Sequence, residues 1–488
     1  MQVLGIGGRD RLAQAFVFGD SELLQLITKS GKHVLKLANF ALRIGGFHDI
    51  PSLFQIGPQD ERSSNEHAIL LFPMTTIAVS ELESTVSAIL DSTPFIDIHT
   101  HLFAPAFGKI GLWGIDELVT YHYLEAELFR SATIHPSKYW ALTKIQRADL
   151  IWKTLFVENT PVSEATRGVV AVLQAFGLDS RAKTLAPLRE FFEKQNLPDH
   201  IAQVFKLAGI SEAVMTNDPL DPEESALWNA GVEPGPPFRA ALRIDRILNE
   251  WDVHCPVLAG QGYAVQQDCG GETLSEVRRF LASWVIRMGP AYMAVSLSDS
   301  FFFPLDDART RLIREAVLPA CREFNLPMAL MIGVRRQVNP LLKTAGDGVG
   351  RADLRCLENL CTEFPDNRFL VSVLSRENQH ELCVYARKFS QLLPFGCWWF
   401  LNNPSLVEEM TRMRLEMLGT SFIPQHSDAR VLEQVIYKWR SSRRTIAPVL
   451  ANAYKLLAAD GRAVTRDEIQ QDVNRLFRTN FQRFLENS

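Results

Sequence analysis

Beyond Met74 the chain repeats one pattern: a short, apolar, β-rich run followed by enough chain for a helix, then another run. Eight runs qualify: residues 95–99 (FIDIH), 213–217 (AVMTN), 238–244 (FRAALRI), 292–297 (YMAVSL), 327–333 (PMALMIG), 368–374 (RFLVSVL), 396–400 (GCWWF) and 420–424 (TSFIP). Near-continuous apolar strands separated by helices belong in a parallel sheet buried on both faces. Eight such units in one domain predict an α/β fold of the (β/α)8 barrel type. A doubly wound open sheet is the alternative. It is weakened because no Gly-rich phosphate loop follows the first run.

One interval is too long for a single crossover helix. Between the first and second runs, about 113–210, lie several helical patterns, including DELVTYHYLEAELFR and HIAQVFKLA. They read as a helical insertion over the C-terminal mouth of the barrel. The tail after Asp428 is also helical, through about Asn487. Ser80 and Glu83 have the spacing of a capping box for the helix that leads into the first strand. Residues 1–73 read differently. They carry Gly-Gly pairs at 7–8 and 45–46, a polar run at 57–67 and one amphipathic helix over 32–44. This is too little to bury a core, so they are expected to form a poorly ordered N-terminal extension to a domain over 74–488.

Composition removes several classes of function. The net charge is -5, from 51 basic and 56 acidic residues, so there is no basic excess to neutralise a phosphate backbone and nucleic acid is not an expected partner. No apolar run reaches the roughly 18–20 residues that span a bilayer, so no membrane partner is expected. The seven cysteines are scattered, form no C-x-x-C pair and are odd in number, against a disulfide framework. With no basic, then apolar, leader at the start, a reducing cytoplasm is the expected location. A homo-oligomer is neither required nor excluded.

The strongest chemical signal is Asp97-Ile98-His99-Thr100-His101 at the end of the first strand. Side chains at i and i+2 of a strand share a face, so His99 and His101 can both aim at the barrel mouth, where barrel active sites lie. Two imidazoles there can share one divalent cation. The alternative is two incidental histidines near a strand end. The second signal is His426-Ser427-Asp428-Ala429-Arg430, just past the eighth strand. In a closed barrel that strand pairs with the first, and Asp428 would complete a three-ligand site. Otherwise Asp428 reads as a helix N-cap.

The insertion offers Tyr121-His122-Tyr123, either proton-transfer groups at the mouth or an aromatic packing stripe. Arg243, Arg335, Arg376 and Arg430 stand at strand ends. Each is either a structural ion pair or a fork for a substrate carboxylate. Of Trp398 and Trp399, a regular strand would point one into the pocket and the other at the helices. The middle strand ends carry no His or Lys where a binuclear hydrolytic site needs them, so a single-metal site is favoured.

With these residues in view, the chain from Met74 to about Phe484 closely resembles the uronate (glucuronate) isomerases of the amidohydrolase superfamily. The resemblance rests on DIHTHLFAPAFG (97–108), LVTYHYLEAELFR (118–130), VMTNDP (214–219), ALRID (241–245), LSRENQHEL (374–382), GCWWFLNNP (396–404) and GTSFIPQHSDARVLEQ (419–434). It implies a (β/α)8 barrel of amidohydrolase type interconverting aldohexuronates and ketohexuronates. It implies His99, His101 and Asp428 as ligands of one divalent metal ion, zinc before manganese, iron or cobalt. Asp428, Tyr123 and Arg430 would be catalytic, and His122, Arg243 and Trp399 would bind substrate. The alternative is a mononuclear hydrolase or decarboxylase on the same barrel, acting on a small carboxylate. A catalytically dead barrel that only binds ligand is a further alternative.

Overall fold

A computed structural model of the chain describes residues 75–486. The extension over 1–73 and its helix at 32–44 lie outside the described residues. Seven parallel strands follow one another around the sheet in chain order: β1 (Phe95–Thr100), β2 (Ile210–Asn217), β3 (Phe238–Arg243), β4 (Met293–Ser298), β5 (Met328–Arg335), β6 (Phe369–Val373) and β7 (Leu392–Pro394). Each pairs in parallel with the next. A two-residue segment, Gly348–Val349, adds antiparallel to the end of β5.

The eighth position is irregular rather than a full strand. Ile423 bridges Phe395 in parallel, with Ile423 N donating to Pro394 O at 3.0 Å and Gly396 N to Ile423 O at 2.8 Å. A few residues on, the same segment reaches β1: Asp428 N donates to His99 O at 3.1 Å, and His101 N to Ala429 O at 2.7 Å. These bonds close the (β/α)8 barrel and fix Asp428 beside the two histidines.

The expected seventh strand at 396–400 is displaced. The strand is LLP at 392–394, and GCWWF forms the loop after it, with one helical turn over Trp399–Leu401. Gly396 (φ 66°) and Trp399 (φ 47°) both adopt left-handed backbone, which no strand accommodates. The apolar density of GCWWF therefore reflects buried pocket walls, not pleated sheet. Ser80 is a second correction. The chain already turns helically at Val79–Glu81, so Ser80 lies inside that turn and caps nothing.

Five helices frame the site: α1 (Leu82–Ser92), α2 (His122–Ser131), α3 (Glu164–Ala175), α4 (Leu197–Ala208) and α5 (Gln434–Ala459). Caps within the insertion show why this segment is helical. Thr143 makes a capping box with Gln146, while Ser163 and Asn196 cap α3 and α4, and Gly209 ends α4 in left-handed conformation. Helix α5 packs against α1, α3 and α4. A buried knot pins this contact. Glu433 accepts from Gly114 N at 3.1 Å and pairs with His200 of α4 at 2.8 Å, both side chains fully buried.

Two apolar layers result. The larger lies between sheet and helices. The smaller draws residues from successive strands, including Ile96, Ile98, Val214, Ala241, Ala294 and Leu370, together with Phe481 and Phe484 from the C-terminal helix. All seven cysteines are buried and free. No described helix is long and apolar enough to cross a membrane.

Candidate active site

Strand β1 does not simply alternate. Phe95 stacks on Phe477 and Asp97 accepts from Trp439 Nε1 at 2.8 Å, so both face the surrounding helices. Strict alternation would send His99 the same way. The pairing of β1 with β2 shifts register between Asp97 and Thr100, and His99 instead packs against Tyr292, Phe395 and His426. The other carboxylate oxygen of Asp97 accepts from Ser427 N at 3.0 Å, which ties β1 to the segment that carries Asp428.

Hydrogen bonds set the tautomer of both histidines. The single proton of Tyr292 Oη goes to Ile98 O at 2.7 Å, so toward His99 Nδ1, at 3.0 Å, the phenol accepts. His99 Nδ1 therefore carries hydrogen and Nε2 presents a lone pair. Thr216 Oγ1 repeats the arrangement, donating to Thr100 O at 2.9 Å and accepting from His101 Nδ1 at 2.9 Å. Burial is the main cause holding both imidazoles well below their usual range, His99 near 3, so both are neutral at pH 7.

Both lone pairs face Asp428. Its Oδ1 lies 3.3 Å from His101 Nε2 and 3.9 Å from His99 Nε2, is buried, and has no hydrogen-bond partner. Three electron-pair donors converge with no hydrogen between them. This is repulsive in a protein alone and favourable around a cation, so the set is able to hold a metal ion. Asp428 adopts left-handed backbone (φ 51°), a strained conformation of the kind found at functional sites. It caps no helix: α5 begins at Gln434.

A narrow cleft opens beside this cluster. It is lined by His101, Tyr121, His122, Arg243, Ser296, Met331, Arg336, Trp398, Trp399, Asp428 and Arg430. Both tryptophans line it, because they stand in a loop where strand alternation does not apply. His122 Nε2 and Trp399 Nε1 are buried without partners. Burial first, then the charge of Arg430, pushes His122 down to about 3, leaving a neutral ring. Tyr123 is not part of the lining. Its ring packs on Tyr121 and His122, and its hydroxyl is buried and unpaired. Burial raises Tyr123 well above the usual phenol range.

Arg243 Nε pairs with Asp245 at 3.3 Å while the side chain still borders the cleft. Arg335 and Arg376 do not reach it. Arg335 is largely exposed beside Asp299, and Arg376 pairs with Glu409 at 2.9 Å. Arg336, which sequence reading passed over, takes that place, with its guanidinium over the Trp399 ring at 5.7 Å. Tyr292 and Thr216 were also missed, since their partners are 193 and 115 residues away.

A (β/α)8 barrel carrying H-x-H at the end of β1 and an Asp across the closing seam defines a barrel protein with a ligand set able to hold a metal ion at its mouth. Among solved structures, a uronate isomerase from Bacillus halodurans C-125 is 49% identical, with a TM-score of 0.83, over 85% of this chain and 98% of that chain. The chain belongs to the uronate isomerase family. A uronate isomerase from Thermotoga maritima (17% identity, TM-score 0.67, 84% of this chain and 98% of that one) shares the fold. So does a glucuronate isomerase from Caulobacter crescentus (15%, 0.66, 86% and 97%). No family model and no curated protein matches the chain.

Proposed function

We propose that the protein interconverts D-glucuronate and D-fructuronate, and D-galacturonate and D-tagaturonate, through a cis-enediol. The observation that carries this reading is the convergence of three unprotonated ligand atoms beside an arginine-rich cleft, in a chain of this family. Zn²⁺ fits a His₂Asp set, as do Mn²⁺, Fe²⁺ and Co²⁺. When bound, such a cation supplies Lewis acidity at sugar oxygens.

The chain's own residues do the rest. Arg243 clamps the C6 carboxylate, and this remote binding energy holds the reacting carbons in place. Asp428 takes the proton from C2 and returns it at C1. Tyr123, protonated at neutral pH, packs behind Tyr121 and His122 of the cleft lining and exchanges protons with the C1 and C2 oxygens once bound substrate brings its hydroxyl into reach. Arg430 and the neutral His122 stabilise the developing oxyanions. Trp399 walls the sugar and excludes water. Incubation with each aldohexuronate tests this reading: a ketohexuronate of unchanged mass is expected, and a cleavage product would favour a hydrolase or decarboxylase instead.

A further inference from the structure

Helix α5 carries a lysine the reaction scheme does not use. Lys438 is 2% exposed. Its carbonyl accepts from Ser442 Oγ, yet no described residue lies within hydrogen-bond or ion-pair distance of Nζ. That ammonium stands 5.7 Å from the centre of the Tyr123 ring and 5.9 Å from that of Tyr437. Lys438 is the leading charge acting on Glu164 of α3. Its charge also acts on His122 and His426. A lysine with no ion-pair or hydrogen-bond partner among the described residues gives the fold little that an apolar side chain would not supply. The hydroxyl of the Tyr123 ring it faces is buried without a hydrogen-bond partner.

We propose that Lys438 is a positioning residue for the isomerisation: it holds the Tyr123 ring by cation–π contact and stabilises the Tyr123 phenolate while its proton is away. This rests on the hexuronate isomerase reading and deepens it. The proton balance is closed. Asp428 removes the C2 proton, and the electron pair forms the C1–C2 double bond with charge on O1. The Tyr123 O–H bond breaks and its proton goes to O1, giving the enediol. The phenolate then takes the proton of the C2 hydroxyl, C2–O becomes a carbonyl, and Asp428 delivers its proton to C1. Tyr123 is negative only between the two transfers. A positive charge beside its ring lowers the energy of that state and leaves the bound substrate untouched.

The test is a double-variant cycle on the full chain with glucuronate. Lys438→Met should lower kcat about tenfold, the scale of a weakened proton-transfer group, with KM and metal content unchanged. Its melting temperature should be near normal, because no ion pair or hydrogen bond to a described residue is lost. Lys438→Arg should restore part of kcat. The Tyr123→Phe, Lys438→Met double variant should be no slower than Tyr123→Phe alone. Independent, multiplying losses would overturn the proposal, as would a raised KM at constant kcat or full activity in Lys438→Met. If Lys438→Met does not fold, Lys438→Gln takes its place in the same cycle. A wild-type protein without uronate turnover would overturn the functional reading itself, which is a separate result.

Discussion

Asp428 combines a strained backbone, an unpaired buried oxygen and two imidazole lone pairs aimed at it. Asparagine tolerates the same left-handed conformation, so Asp428→Asn removes the charge and spares the backbone. We expect Asp428→Asn and His101→Ala each to lose bound metal and turnover together, with near-normal melting temperatures. Full metal occupancy in either variant, measured by elemental analysis, would contradict the three-ligand set. Arg243 makes a different prediction. Arg243→Met should raise KM for uronates by the roughly 1.5–3 kcal/mol of a hydrogen bond to a charged group, and change neutral aldoses little. Equal loss for acidic and neutral sugars would assign Arg243 to its ion pair with Asp245.

The segments that bring these residues together are held from a distance. The Glu433–His200 pair joins α4 to the start of α5, five residues past Asp428, and satisfies Gly114 N in the insertion. Glu433→Ala leaves a buried imidazole and a backbone N–H unpaired. It should cost about 3 kcal/mol, seen as a lower denaturation midpoint. An unchanged midpoint would mean that the insertion is held by its apolar contacts alone. Gly396 shows how far local pattern can be read. A Cβ there would lie 1.8 Å from His426 Nδ1, and the backbone is left-handed. Only glycine meets both conditions, and nothing in GCWWF announces them. Strands β1 to β6 were legible because apolar density and alternation are local signals. The H-x-H pair and Asp428 were legible because they sit at strand ends. The displaced seventh strand, the irregular eighth, and the orienting roles of Tyr292 and Thr216 depend on contacts between distant segments. The exchange of Arg336 for Arg335 is a matter of one residue at a strand end, which apolar pattern does not resolve.

All eight barrel positions are supplied between Phe95 and Ile423, so none has to come from upstream of Met74. We propose that residues 1–73 are dispensable: a chain beginning at Met74 should fold, bind metal and isomerise uronates as the full chain does. Insolubility or a clear drop in melting temperature would show instead that the upstream residues cover apolar surface. The molecule as a whole works as proposed only if the His99, His101 and Asp428 cluster holds a cation that hexuronate isomerisation requires. That requirement is read most directly by following ketohexuronate formation from glucuronate and galacturonate before chelation, after chelation, and after a divalent metal is returned. Turnover should disappear with the metal and return with it. Undiminished isomerisation by fully stripped protein would contradict the requirement, and so would metal-replete protein that forms no ketose from either sugar.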